Sequence, residues 1–420
     1  MAMKICEISK ADKAGGGASA VAEMLSDDFR YSGLPTLHYT YWADKGYDYY
    51  RRNLYGEDRK LFCALNEKLK RELSLAEVFP FEANHLQSEI QKFGFDVVHF
   101  HDISSAISVR TLARLAKIVP TVWTLHDCSP FTGGCLYPME CRRYVLPQHC
   151  GKCPQLGSWP VDTKWDTTWI NHRLKTRAHS TGQIHLVSPS RWMAEQAKNS
   201  GMINQEIQVI PNGVDTQFFF PREKSIVRER LNIPDAHTVL ATISGHLADE
   251  RKNVRAVIEM LTKLDCSDIT LLLIGNINPE ILEKTKGFNV AFSGYVHSAD
   301  KMAEVLSAAD AYVFTSLAEN HPLSVLEAMA CGLPILGFQT GGVSEQVVHG
   351  YHGLLCPTGD NNALLSCVAA ALASGNLLSW GEASRARVQK EFTRVRMAED
   401  YKRYFETLIE AADRKLHEGQ

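Results

Sequence analysis

Apolar runs of strand length alternate with helix-periodic segments along most of this chain. In the first half the runs are "MKICEIS", "LPTLHYTYW", "DVVHFHD", "TVWTLHD" and "IHLVSPS"; in the second half they are "TVLATIS", "ITLLLIG", "VAFSGYV", "AYVFTS" and "PILGF". That alternation implies parallel sheets joined by crossover helices, an α/β class. At 420 residues the chain is too long for one core, so two doubly wound domains are expected. The boundary is read at "IQVIPNGVDTQFFFPREK", where a strand meets an Asn-Gly turn and a Pro-containing link. This predicts an N-terminal domain over 1–210 and a second over 211–390. Residues 391–420 read as a periodic helix that no strand follows, able to pack back on the N-terminal domain or on the second.

Composition acts mainly by exclusion. The chain is 45% hydrophobic and 22% charged with a formal net charge of -3, so it lacks the basic footprint of a nucleic-acid binder. The N-terminal "MAMKICEISKADKAGGG" has neither the apolar core nor the cleavage site of a secretory signal. No stretch approaches about 18 uninterrupted apolar residues. A cytoplasmic protein is expected, in which clustered cysteines are metal ligands more readily than disulfides. The scattered Cys6, Cys63, Cys266, Cys331, Cys356 and Cys367 are expected to be small core residues. Peripheral contact with the inner face of a membrane has one candidate segment, "YYRRNLYGEDRKLFCALNEKLKREL". Its aromatic and basic residues suit anionic lipid; its interleaved acidic residues favour a solvated helix.

Ligands of open parallel sheets collect outside the carboxyl ends of the strands. With two such sheets the expected site is a cleft between them, and the residues that follow each strand are the candidates. Gly15, Gly16 and Gly17 precede an Ala-rich helix, where bare backbone N–H groups suit an anion. The dinucleotide spacing G-x-G-x-x-G is absent. "TLHD" places His126 and Asp127 after the fourth strand, a histidine for a hydroxyl or phosphate and a carboxylate able to orient it. His99 and His101 extend that rim. The sharpest pattern is "TSLAENHPLSVLEAMACGLPIL". It sets Glu319 in a loop, Asn320, His321, Pro322 and Leu323 at a helix start suited to a diphosphate, and Glu327 one turn inside. The small apolar residues around Glu327 bury that helix, and a carboxylate is not buried there without purpose. "ADERKN" adds Arg251 and Lys252, cations able to neutralise a diphosphate.

Together these residues resemble the retaining glycosyltransferases of the GT-B fold, glycosyl transferases group 1 and family 4-like, over nearly the whole chain. The markers are "GGG", "HD" at Asp127, "SPS" at Ser188, "IPNGVD" from Ile210, "ERKN" around Lys252, the two glutamates, and "TGGVSEQVVHGYHGLL". The resemblance implies two Rossmann-like domains and a UDP- or GDP-sugar donor. It also implies a glycan or lipid-linked acceptor in surface polysaccharide or lipopolysaccharide assembly. In its terms Glu319 holds donor-sugar hydroxyls, Glu327 the ribose, and Lys252 the diphosphate. His126 lies near the reacting centre, and Gly16 and Gly17 line the donor and acceptor side. Two departures stand out: "GHL" with His246 replaces Gly-Arg-Leu, which points to Arg251 as the missing cation, and "NHP" replaces Gly-Phe-Gly after Glu319. With no Asp-x-Asp motif at a strand end, no catalytic divalent metal is expected. A silent binding subunit and a sugar-nucleotide epimerase of the same fold are the competing readings.

An insertion at about 128–160 holds Cys135, Cys141, Cys150 and Cys153 in the spacing C-x5-C-x8-C-x2-C. Four thiolates in a strandless segment suit structural zinc, an iron–sulfur cluster or no metal at all. Some colanic-acid-type transferases of the resembling group carry a similar segment. Its polar composition predicts little core of its own, and Cys128 is expected to pack.

Overall fold

The computed structural model describes residues 2–75, 77–247, 249–264 and 267–418. Cys266 lies outside them. The chain divides into two compact units, Met1–Pro211 with Met397–Gln420, and Asn212–Arg396. The first is built on a parallel sheet of β1 (Ile5–Ala11), β2 (Thr36–Trp42), β3 (Arg51–Asn53), β4 (Val97–Phe100), β5 (Thr121–Thr124), β6 (Ile184–Ser188) and β7 (Ile207–Val209). Its spatial order is β3-β2-β1-β4-β5-β6-β7. The second holds β8 (Thr238–His246), β9 (Ile269–Asn276), β10 (Asn289–Gly294), β11 (Ala311–Phe314), β12 (Ile335–Phe338) and β13 (Gly353–Cys356), in the order β10-β9-β8-β11-β12-β13. Both units are the doubly wound, Rossmann-like kind. The edge strands β3 and β13 are absent from the sequence-based expectation, because three polar residues and a four-residue run display no period to read.

Central strands are apolar on both faces, as crossover helices on both sides require: Ile5, Ile8, Val97, Val98, Leu271 and Leu272 are all fully buried. The final helix, Arg394–Glu418, gives all but its first residues to the first unit. Met397, Tyr401 and Phe405 recur every four residues and form one buried stripe. Phe405 lies 5.9 Å from Phe29, and Tyr401 4.9 Å from His99, so the stripe covers the polar end of the first sheet.

The insertion departs from expectation in its packing. Cys128, Phe131, Cys135 and Tyr144 are buried, and Cys128, Phe131 and Tyr144 belong to the core of the first unit. Its first half is thus anchored by apolar burial. Cys6, Cys331, Cys356 and Cys367 are buried and Cys63 is half-buried. On the helix Arg59–Leu73 the side chains of Leu61, Leu65 and Leu73 are exposed, among the exposed Lys60, Lys68 and Arg71. Among the described residues no single helix is long and apolar enough to cross a membrane. The bent pair Asn361–Ala373 and Leu377–Glu391 passes the same test only jointly, and Leu364, Cys367, Val368 and Ala371 of that pair are buried in the second unit's core.

Candidate active site

In the second sheet β8 lies between β9 and β11, so the strand order reverses beside it. Loops leaving such adjacent strands turn to opposite sides and open a crevice. The β8 loop delivers Arg251 and Lys252, and the β11 loop delivers Glu319. Lys252 Nζ contacts Glu319 Oε1, and Arg251 Nη1 reaches the same oxygen at 2.9 Å. Backbone bonds lock the two loops together: Leu317 N–H donates to the Arg251 carbonyl at 2.8 Å, and the Thr315 hydroxyl to that of Lys252 at 3.0 Å. Burial alone would raise the Glu319 carboxyl. The two cations outweigh it and hold the group below its ordinary value, as an ionised carboxylate.

Glu327 is one turn into the helix Leu323–Ala330 and half-buried. Among the described residues its side chain has no hydrogen-bond or ion-pair partner, and burial pushes it up to about 7. No side chain caps this helix, whose N-cap is Pro322. Proline has no N–H, so the open backbone donors begin at Leu323. His321 is a correction to the expected ligand set. Its ring is buried edge-on against Phe392, and Gln346 Nε2 donates to its Nδ1 at 3.1 Å. Asn320 accepts at its carbonyl from Gly342 N–H at 2.8 Å. These contacts make the side chain of His321 a brace for the loop that carries Glu319. Asn212, from the "IPNGVD" turn, donates to the His321 carbonyl at 2.9 Å. That turn therefore supports the site from 109 residues away in sequence.

In the first unit Gly16 has φ 107° and stands as the N-cap of the helix Gly17–Tyr31, with no side chain capping it. That φ is open to glycine alone without strain. His126, two residues beyond β5, is half-buried, and burial pushes it down to about 3, so the ring is neutral. Asp127 does not orient it: Asp127 Oδ1 accepts from Ser129 N–H at 2.7 Å and opens the turn Ser129–Phe131. One partner is His101, whose Nδ1 lies 2.9 Å from His126 Nε2 with the rings stacked. His101 Nε2 in turn lies 2.8 Å from Glu7 Oε2. Glu7 escaped the sequence-based search, yet "MKICEIS" carried a signal. An acid midway along a strand buried on both faces demands a partner.

Cys135, Cys141, Cys150 and Cys153 are free thiols lining one cavity of about 20 Å³. Burial pushes Cys135 up to about 12 and Cys150 to about 11. Nearby polar groups oppose the burial in part, Gly133 at Cys150, Gln155 and Leu156 at Cys153 and Thr132 at Cys135; Leu156 N–H donates to the Cys153 carbonyl at 3.2 Å and the Thr132 hydroxyl to the Cys135 carbonyl at 2.7 Å. Gly151, between the last two cysteines, has φ 137°. Among the described residues, only Glu7, His99 and His101 bring three metal-type ligand atoms within 4.8 Å of one another. The sulfurs therefore surround their cavity without closing on it.

Two family models match the chain: Glycosyltransferase Family 4 over residues 17–218, and Glycosyl transferases group 1 over 238–374. The N-acetyl-alpha-D-glucosaminyl L-malate synthase of Bacillus anthracis is 28% identical over 221 residues, 51% of this chain and 57% of that protein. A protein of Escherichia coli K12 named for colanic acid biosynthesis, the glycosyl transferase WcaC, is 28% identical over 263 residues, 59% of this chain and 61% of its own. The chain thus matches little more than half the length of these relatives. Anabaena HepE, solved in complex with UDP, superposes with a TM-score of 0.69 over 96% of this chain and 100% of its own, at 17% identity.

Proposed function

The chain belongs to the group 1 and family 4 glycosyltransferases and has their GT-B architecture, and we propose that it moves a sugar from a UDP- or GDP-sugar to a hydroxyl of a glycan or lipid-linked saccharide. In this proposal transfer retains the anomeric configuration and serves surface-polysaccharide assembly. The observation that carries it is the convergence of Arg251 and Lys252 on Glu319 at the strand-order reversal, with the unpartnered Glu327 on the helix that follows. Ionised Glu319 accepts sugar hydroxyls and holds the two cations in place. The cations and the open N–H groups from Leu323 onward stabilise the charge that builds on a departing diphosphate. Glu327 accepts from a ribose diol. Retention by same-face attack fits the first unit, where Asp127 is tied to Ser129 and Glu7 to histidines, which leaves neither as a nucleophile beside His126. The colanic-acid relative and the UDP-bound neighbour favour this substrate class. The exposed leucines and cations of the helix Arg59–Leu73 offer contact with a membrane bearing a lipid-linked acceptor.

Thermal unfolding in the presence of UDP, GDP and ADP tests the donor assignment. One of the three is expected to raise the Tm by several degrees, as a ligand bound only by the folded state does, and the shift is expected to vanish in Glu327→Ala. No shift from any nucleotide, or an undiminished shift in the variant, would defeat the proposal.

Structural zinc at Cys135, Cys141, Cys150 and Cys153 is the second part of the proposal. The donor set fits: four free thiols line one cavity. Sulfurs about 2.3 Å from a tetrahedral ion stand about 3.8 Å apart, so binding draws them inward. A bound ion also supplies the positive charge that thiols raised by burial need in order to ionise. Elemental analysis of protein purified without added metal is expected to find about one zinc per chain, and Cys150→Ser to lose it along with several degrees of Tm. Metal-free protein with an unchanged Tm would remove the zinc, and iron in its place would reassign the site.

A further inference from the structure

The first unit buries a connected chain of polar side chains. Glu7 on β1 stands in register with His99 on β4, and side-chain alternation puts His101 on the same face as His99. Glu7, His99 and His101 are essentially unexposed. One oxygen, Glu7 Oε2, lies 3.0 Å from His99 Nδ1 and 2.8 Å from His101 Nε2. His99 Nε2 is 2.8 Å from Thr124 Oγ1, which is 2.9 Å from the Tyr401 hydroxyl on the C-terminal helix. His101 Nδ1 is 2.9 Å from His126 Nε2. A metal ion is not what this cluster awaits, since all four ring nitrogens of His99 and His101 already have partners within 3.0 Å.

Hydrogen-bond direction can be followed outward from the carboxylate. Burial raises the Glu7 carboxyl and the His101 hydrogen bond opposes that; as a carboxylate Glu7 only accepts, in which case the two facing nitrogens, His99 Nδ1 and His101 Nε2, each carry a proton. A neutral imidazole protonated at Nε2 accepts at Nδ1, so the bond between the two histidines must be donated by His126 Nε2. We propose that Glu7 is a positioning residue, which through His101 sets His126 as the Nε2–H tautomer and orients its ring. In that tautomer His126 Nδ1 is an acceptor and not a donor. This deepens the glycosyltransferase proposal and rests on its placement of His126 near the reacting centre. The tautomer itself does not depend on that placement. The second arm, through Thr124 and Tyr401, ends in the C-terminal helix.

Ring-nitrogen NMR on the ligand-free, full-length protein labelled with 15N-histidine tests this directly, with His126 assigned by its loss in His126→Asn. Wild type is expected to show His126 protonated at Nε2 alone. In Glu7→Met, which keeps length and removes the acceptor, the proton is expected to distribute over Nδ1 and Nε2. Wild-type His126 protonated at Nδ1 overturns the proposal even if no variant folds, and so does an unaltered tautomer in folded Glu7→Met. With a donor in hand, release of nucleoside diphosphate should fall about tenfold in kcat, while KM for the donor stays within twofold or so. A redistributed tautomer with undiminished kcat would uphold the positioning role of Glu7 and count against His126 in the reaction.

Discussion

Lys252→Ala is expected to lower kcat for donor cleavage by about 10²- to 10³-fold, the usual loss when one group stabilising a developing charge is removed. The reason is electrostatic. Lys252 and Arg251 share one carboxylate oxygen in a half-buried crevice, where opposite charges interact more strongly than in water. A compact ammonium is also the group best able to follow charge moving onto a leaving diphosphate. The fold should tolerate the change, because Arg251 still neutralises Glu319, and a Tm within a few degrees of wild type is expected. The assay is release of nucleoside diphosphate from the donor identified by the stabilisation screen. A loss smaller than about threefold, well short of that range, would place the lysine outside the chemistry.

Glu327→Gln is expected to do two opposite things. With a folded-state value of about 7 against an ordinary 4.5, Glu327 ionises in the unfolded chain first. The folded state therefore loses stability as pH rises from about 4.5 to about 7, and the loss is flat above that. Its ceiling is about 3 kcal/mol, reduced by whatever solvent reaches a half-buried group. Glutamine cannot ionise, so the ligand-free variant should unfold several degrees higher than wild type at pH 8 and show no gain at pH 4. Nucleotide affinity should move the other way. In wild type it should strengthen between pH 6 and pH 8 as the carboxylate that accepts the ribose diol forms. In the variant it should be flat with pH and about 10- to 100-fold weaker, the worth of one or two hydrogen bonds to a charged group. Denaturation and titration calorimetry at several pH values would measure both. Equal pH slopes in the two proteins would mean that Glu327 does not titrate in this range.

Much of the candidate site can be read from the sequence because its pieces are local. "ENHPLSVLEAMACG" announces a loop acid, a proline at a helix start and a second acid inside an apolar helix, all within reach of spacing rules. His321 misled for an equally local reason: sequence shows that it sits at the helix start but not which way its ring turns, and Gln346, 25 residues on, decides that. Asp127 misled likewise, since adjacency to His126 suggested an orienting carboxylate where the backbone of Ser129 had the better claim.

Alternating apolar runs and crossover helices were enough to establish two parallel-sheet domains, because burial on both faces of a strand leaves its mark residue by residue. Pairings across the sheets left no such mark. That Arg251 and Lys252 meet Glu319 follows from β8 lying beside β11, and that Glu7 meets His99 and His101 follows from β1 lying beside β4. Strand order is set by how the whole sheet packs. Contacts between residues 67 to 94 positions apart therefore came into view only with the tertiary structure.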